Sequence, residues 1–503
     1  MNLLGIDIGT TGCKAAVFDA DGATLALAYR EYDIIRDRPG QAELDSREVW
    51  DKIVQVISEC AGKVKPIAAL SVASMGEALV PIGRDGRICG NSVLGTDTRG
   101  KPYLDRFVAA AGAETIRRIT GQPPSGGYSL PNLCRIKAEE PERYRETCQF
   151  LPWADFVTFM LTGEIQANYP LAARTLLFDR ETCGWSAPLL AAAGLDAGKL
   201  PPPVPSGRVS GRISPGMARR LGLSPETTVV SGTHDQCAAA VGAGVCEPGS
   251  AMLGLGTYAC MVLVHDRPDA DSPFVRLGLN LEPHAVPGQF VSFLYHGSGG
   301  ALLKWLRREM FRDLPDDRVY ERMEAELRLA RHPAAVLPYF AETGPLDCAP
   351  GGQGLIGGLS FAHTRADILR SAMAGVIFYF RGAVEQLKRE GVPVRRIHLN
   401  GGGAESAAWR QMTADILGIP VVKAPVRECG ALGAAILAGV GGGLLPSCAE
   451  AAKRIGKDAE LHPPGPPELY EQDFLCYSDC KSHRCGSNYT ERKIRSVRRK
   501  NEN

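Results

Sequence analysis

A carboxylate two residues ahead of a Gly-Thr-Thr turn can hold a hydrated divalent cation beside a phosphate. The chain carries this combination near its start, in LLGIDIGTTGCKAAVFD (Leu3 to Asp19): Asp7, then Gly9, Thr10 and Thr11. Such a turn aims several backbone N–H groups at one point and adds hydroxyls, which makes an anion nest without a helix. Asp7 beside it can hold hydrated Mg²⁺, and Lys14 can neutralise part of a phosphate's charge. A hairpin that merely needs glycine reads the same way. A second stretch, AMLGLGTYACMVLVHD (Ala251 to Asp266), repeats the layout with Gly256 and Thr257 in the turn but without the acid ahead of it. Two such turns half a chain apart suggest a duplicated domain, with one phosphate-sized loop in each half and a cleft between them.

Two further stretches carry chemistry. VVSGTHDQCAAAVGAG places Asp235 after an apolar strand and just before a small-residue helix. A carboxylate at the mouth of a cleft suits a general base that takes a proton from an attacking hydroxyl, and an N-cap fits the same spacing. His234 reads as a hydrogen-bonding neighbour rather than a ligand. In LNGGGAESAAWRQMTADILGIPV, Gly401, Gly402 and Gly403 leave no side chains in the way, so a flat adenine or ribose can lie against the backbone. A tight strand-to-helix connection would look alike.

The elements that must position these residues alternate between strand and helix. Asp45 or Ser46 can cap a helix through Lys63, with Val49, Ile53, Ile57 and Cys60 on one face. AALSVAS, RIHLN and PVVK read as strands; Ala301–Arg312, Asp367–Gly391, Ser406–Leu417 and Ala431–Leu437 read as helices. The pattern is that of an α/β protein. The Gly- and Pro-rich GAGVCEPGS marks a boundary near Val245, giving domains 1–245 and 246–477. The tail 478–503 is polar, basic and aperiodic, and reads as disordered.

Composition narrows the function. The 503 residues suffice for two or more domains, and 57 Lys and Arg against 56 Asp and Glu leave no bulk field for nucleic acid or an anionic membrane. Small neutral partners fit better. Neither a signal peptide nor a membrane-length apolar run is present, so a cytoplasmic address is expected. The 15 cysteines are scattered without a CxxC pair, as free thiols in a reducing compartment would be. Cys476, Cys480 and Cys485 cluster without completing a familiar zinc spacing.

Taken in order, DIGTTGCK, GTHDQCAAAVGAG, LGLGTY, GLIGGLSFAHTRADILRSAM and GGGAESAAWRQMTADILGIPV resemble the FGGY carbohydrate kinases, from Leu3 to about Tyr477. The resemblance implies two actin-like ATPase (ribonuclease H-like) domains related by duplication, with ATP and sugar meeting in an interdomain catalytic cleft. It implies transfer of the γ-phosphoryl of MgATP to a hydroxyl of a small sugar or polyol. Carried over by position, Asp7 positions Mg²⁺, while Gly9, Thr10, Thr11 and Lys14, then Gly256 and Thr257, serve the phosphates. Gly402, Gly403 and Ser406 belong to the adenosine loop, and Asp235 becomes the catalytic base. Met75, Gly76 and Glu77, in ASMGEALVPI, stand where family members contact their sugar, and Asp97 and Arg99 of LGTDTRG match the family's Asp-x-Arg segment. Nucleic acid and membrane are not expected partners; a homodimer is compatible with the reading.

The chain departs from the family pattern at Pro131-Asn132-Leu133-Cys134-Arg135, where Pro-Lys-x-x-Trp is usual, and at Ala374, where an acid is usual. Both leave the acceptor open. Other classes fit less well. GQGLIG (Gly352 to Gly357) matches GxGxxG but follows no apolar strand, no GxxxxGK[ST] occurs, and no GxSxG elbow is present. The non-enzyme alternative is a sugar- and nucleotide-binding regulatory pseudokinase on the same fold.

Overall fold

The first strand, β1 (Asn2–Ile8), buries Leu3, Leu4, Ile6 and Ile8, so it has to sit inside a sheet covered on both faces. A computed structural model describes residues 1–269, 272–314, 318–341, 344 and 353–482, and places β1 in the middle of six strands. With β2 (Gly12–Phe18), β3 (Thr24–Glu31), β4 (Ile67–Ser74), β5 (Val209–Arg212) and β6 (Thr228–His234), the order is β5-β6-β4-β1-β2-β3. β1 runs parallel to β4, and β4 parallel to β6, while β2, β3 and β5 pair antiparallel. The expected hairpin Leu3 to Asp19 is β1 and β2, with Asp7 opposite Lys14.

The helix Ser46–Lys63 covers this sheet. Asp45 is its N-cap and accepts from the N–H groups of Arg47 and Glu48, and Val49, Ile53, Ile57 and Cys60 are all buried, as their spacing predicts. A second small-residue helix, Cys429–Gly441, packs on β1 and on the helix Asp235–Gly242. Glycine makes that approach feasible. A Cβ added at Gly5 would lie 1.7 Å from the Ala431 carbonyl oxygen, and one at Gly433 1.8 Å from that of Ala238.

By contact the chain divides into two compact units, each assembled from three segments. The first takes Met1–Pro248, Val264–Ser292 and Glu428–Asp458; the second takes Gly249–Leu263, Phe293–Arg427 and Ala459–Asn503. The second sheet has seven strands, the two-residue edge strand Glu282–Pro283 followed by β9-β8-β7-β10-β11-β12, where β7 is Ser250–Leu255, β8 Ala259–Asp266, β9 Gln289–His296, β10 Arg396–Asn400, β11 Val421–Lys423 and β12 Leu461–His462. Antiparallel β7–β8, parallel β7–β10 and β10–β11, and antiparallel β11–β12 repeat the pattern of β1–β2, β1–β4, β4–β6 and β6–β5. The internal repeat in the sequence thus has a counterpart in strand order.

Predicted helices are found with shifted ends, at Gly300–Met310, Arg365–Arg389, Ala407–Leu417 and Cys429–Gly441. The tail requires a correction at its start. Residues 471–482 are helical, so 478–482 are not disordered; 483–503 and Cys485 lie outside the described residues, as does Gly352 of GQGLIG. The helix is held on Arg365–Arg389 by ion pairs Arg370–Asp473 (2.9 Å) and Arg381–Glu471 (2.6 Å), and the Tyr477 hydroxyl meets that of Tyr339 (2.9 Å), which follows the strand Ala335–Leu337. Polar composition concealed this docked face. The 13 described cysteines are all free, and among the described residues no helix is long and apolar enough to cross a membrane.

Candidate active site

Three neighbouring parallel strands of the first unit end side by side, because Ile8 and His234 both pair with Ser74. Asp7 therefore sits near the end of β1, Met75-Gly76-Glu77 leave the end of β4, and Asp235 follows β6. Carboxyl ends of adjacent parallel strands are where open α/β sheets gather their chemistry. Met75 is buried, its N–H donating to the Ile8 carbonyl at 2.8 Å. A side chain at Gly76 would press on its neighbours, since a Cβ there would fall 3.0 Å from the Arg174 side chain and 3.1 Å from His234 Nε2.

Glu77 is engaged by Arg174, whose Nε donates to Glu77 Oε1 at 2.8 Å and whose Nη2 donates to the same oxygen. Arg174 Nη1 also donates to Glu282 Oε2 at 3.4 Å, and the guanidinium lies 4.9 Å from the Tyr128 ring centroid. Glu282 Oε1 in turn faces His234 Nδ1 at 2.7 Å, and His234 Nε2 is 3.2 Å from Asp235 Oδ1. One chain of charged groups thus links Glu77 to Asp235. Burial works against the Arg174 charge, but Glu77 first and then Tyr128 and Glu282 hold its pKa well above the usual value. Burial also raises the Asp235 carboxyl, with His234 lowering it and Glu77 raising it.

Asp235 is not the N-cap that its spacing allowed. His234 occupies that position and Asp235 is the first residue of the helix Asp235–Gly242, its carboxylate partly open at 28% exposure. Asp97 and Arg99 form a separate network: Asp97 accepts from the Ala42 N–H at 2.9 Å and from Arg99 Nε at 3.0 Å, and Arg99 also pairs with Glu43. Gly95, on the same segment, stands against Glu77, where a Cβ would approach Oε2 to 3.3 Å. The departing residues Asn132 and Arg135 are buried on the helix Ser129–Glu139, and Asn132 lines a small cavity with Glu77. Ala374 is buried within Arg365–Arg389.

Asp7 is partly open at 19% exposure, 3.9 Å from Lys14 Nζ; Lys14 bonds Glu428 at 2.6 Å. Gly430, at the start of the helix Cys429–Gly441, packs against the Asp7 carboxylate so closely that a Cβ would lie 2.6 Å from Oδ2. A helix N-terminus favours an anion there. Burial raises the Asp7 pKa to about 7; Lys14 opposes the shift, while Asp235 and Glu428 add to it. Asp7 and Glu428 flank one lysine, and carboxylate oxygens are the hard donors Mg²⁺ takes. The adjoining turn keeps Thr10 and Thr11 exposed, and is closed by Gly9 N–H to the Gly12 carbonyl (2.9 Å) and by the Tyr32 hydroxyl to the Gly9 carbonyl (2.5 Å).

In the second unit the two glycine turns come together. The α-carbon of Gly401, at φ 84°, lies so near the Leu255–Gly256 peptide that a Cβ would fall 2.9 Å from Leu255 C, and Gly403 packs on Leu255 and Trp409. Gly402 faces open space, and Gly256 and Thr257 are exposed. The Gly256 and Thr257 carbonyls accept from the first N–H groups of the helix Gly300–Met310. Ser406 caps Ala407–Leu417, accepting from the Trp409 N–H at 3.0 Å and donating to Glu324.

Arg174, Glu282, Glu428 and Gly430 were not singled out from the sequence. Gly430 alone had a signal, since ECGALGAA is small-residue-rich. Arg174 sits in LAARTLLF and Glu282 in LNLEPH, where nothing local marks them.

Residues 2–242 match the N-terminal domain, and 251–442 the C-terminal domain, of the FGGY family of carbohydrate kinases. The chain belongs to this family. It is a kinase of the carbohydrate class, a phosphotransferase whose acceptor is an alcohol group. It is 26% identical over 487 residues to a xylulose kinase of Bacillus subtilis (strain 168), covering 96% of this chain and 97% of that one. It is 28% identical over 488 residues to a glycerol kinase of Methylibium petroleiphilum, covering 93% and 96%. Among solved structures, a xylulose kinase from Rhodospirillum rubrum superposes with a TM-score of 0.86 at 25% identity, covering 96% and 99%. A gluconate kinase from Lactobacillus acidophilus does so with a TM-score of 0.86 at 24% identity, covering 97% and 98%, and shares the fold.

Proposed function

We propose that the protein transfers the γ-phosphoryl of ATP to a hydroxyl of a small, neutral, polyhydroxylated acceptor, with Asp235 as the general base. The observation that carries this reading is the convergence of Asp7, Glu77 and Asp235 at the ends of three adjoining strands. Phosphoryl transfer needs positioning and charge neutralisation more than covalent help. Glu77, held by Arg174, accepts from acceptor hydroxyls, and Asp235 takes the proton of the attacking one. Gly9, Thr10 and Thr11 of the first unit, and Gly256 and Thr257 of the second, hold phosphates through backbone N–H groups, with adenosine against Gly402 and Gly403. Asp7 would hold Mg²⁺, which when bound supplies charge neutralisation at the phosphate oxygens.

The charge of the site sets the acceptor class. Glu77, Glu282 and Asp235 stand against Arg174 and His234, and Arg174 is already spent on two carboxylates. A carboxylated acceptor would meet this surplus of negative charge, so ketoses and polyols fit better than aldonates.

The test is Asp235→Asn. A positioned base contributes about 10² to 10⁴-fold in rate, so the variant should lose turnover by that factor while binding ATP as the parent does, measured by calorimetry. A variant that turns over at the parental rate would refute the assignment.

A further inference from the structure

The helix Asp235–Gly242 and the two-residue strand Glu282–Pro283 bring together His234, Cys237 and Glu282, all buried, on the side of Asp235 reached through His234 Nε2. Glu282 has no exposed side-chain surface, and the imidazole is 8% exposed. A carboxylate buried so completely needs a fixed cationic partner. It has two: Arg174 Nη1 at 3.4 Å on Oε2, and His234 Nδ1 at 2.7 Å on Oε1. The Cys237 thiol donates to the same Oε1 at 3.5 Å. His, Cys and Glu atoms within 4.8 Å of one another are also a donor set for zinc. Here each is already engaged by the others, so the hydrogen-bonded reading describes the cluster without an ion.

We infer that Glu282 and His234 form a relay behind Asp235, in which Glu282 holds the imidazole protonated and oriented so that Nε2 pairs with Asp235 Oδ1 and leaves Oδ2 for the acceptor hydroxyl. The inference rests on the reading of Asp235 as the base. Both are positioning residues that act through Asp235. As the acceptor oxygen bonds to the γ-phosphorus and the bond to the leaving ADP oxygen breaks, the hydroxyl proton passes to Asp235 Oδ2, and the charge of His234 favours the ionised carboxylate beforehand. The charge state has support. Burial pushes the imidazole toward neutrality, but Glu282 and then Asp235 raise its pKa above the ordinary value, with Arg174 opposing them. Among the described residues the other charged or titratable groups facing the pair are Glu77, Cys237, the buried His284 beside Glu282 and, toward Asp235, Asp7. Gly76, just beyond β4, lies close to the ring, where a Cβ would fall 3.1 Å from His234 Nε2.

The test uses the full-length protein labelled with ¹⁵N-histidine, without ligand, with His234→Asn identifying the resonances. The relay predicts that His234 carries protons on both nitrogens at pH 7, and that the isosteric Glu282→Gln lowers its titration midpoint by at least one pH unit. A His234 that is neutral at pH 7, or whose midpoint Glu282→Gln leaves in place, would overturn the inference. A structural role alone would not move that midpoint. In turnover with D-xylulose or glycerol as acceptor, His234→Gln and Glu282→Gln should each lower kcat about 10-fold or more and leave the KM for ATP unchanged. Parental kcat in both would also overturn it, and circular dichroism identifies a variant that failed to fold. Should Asp235→Asn turn over normally while the histidine titrates as predicted, the general-base reading has failed and the Glu282–His234 coupling stands.

Discussion

In the proposed site the acceptor side depends on Arg174, because among the described residues it donates to both Glu77 and Glu282. Removing one partner of a buried charged network leaves the others uncompensated and costs about 3–5 kcal/mol. Arg174→Met should therefore lower the thermal unfolding midpoint and raise the KM of the acceptor more than that of ATP; a change in the ATP constant alone would contradict the assignment. Arg174 was invisible in the sequence for a physical reason. It meets Glu77 across 97 residues of chain, and His234 meets Glu282 across 48, so no local spacing encodes either pair. Asp7 and Asp235 stood out as candidates because each lies at the end of a short apolar strand, whereas Glu77 was marked only by its place in the family resemblance. The N-cap alternative for Asp235 failed by one position, since the helix begins at Asp235 itself and His234 takes the cap.

The helix Cys429–Gly441 shows what the elements contribute. Its glycines let it approach β1 and Asp235–Gly242 at backbone distance, and its first turn faces Asp7. Gly433→Val would drive a side chain into the Ala238 carbonyl, 1.8 Å from the position of its Cβ. Overpacking of this kind costs about 1–3 kcal/mol or more, so the variant should unfold at lower denaturant than the parent. Unchanged stability would mean the two helices are not in such contact. The close-packing character of this helix was readable from its small residues, but its packing partners were not, because small residues declare closeness without naming the neighbour.

The long helix Arg365–Arg389 offers a pH test. Asp367 closes its capping box, accepting from the Thr364 N–H and from the N–H groups of Arg331 and His332. Burial opposes its charge, but the Thr364 hydroxyl and these N–H groups hold its pKa well below the ordinary 3.8. A carboxyl whose folded pKa is depressed contributes stability above its unfolded pKa and loses it as pH falls toward the folded one. Asp367→Asn should thus be destabilised relative to the parent at pH 7, with the gap narrowing below about pH 4. A gap constant between pH 7 and pH 3 would contradict the cap's ionic character.

At the scale of the whole molecule, the sequence carried the duplication as two Gly-Thr turns, and the two sheets repeat one strand order. What it did not carry was the assembly of each compact unit from three segments. Contacts made by Val264–Ser292 and Glu428–Asp458 depend on where the chain returns, and composition shifts along the chain do not record a return. One of those returns brings Glu282 to His234, and the other brings Gly430 to Asp7.

The central claim is acceptor-dependent phosphoryl transfer, and ADP release from MgATP, coupled to an optical readout, tests it most directly. The panel is D-xylulose, L-xylulose, tetritols, hexitols, glycerol and D-gluconate, with Asp235→Asn run alongside. The account predicts that at least one neutral ketose or polyol stimulates release in the parent and not in the variant, and that D-gluconate stimulates it far less. Confirmed ATP binding with no stimulation by any neutral acceptor, or equal stimulation in parent and variant, would contradict it.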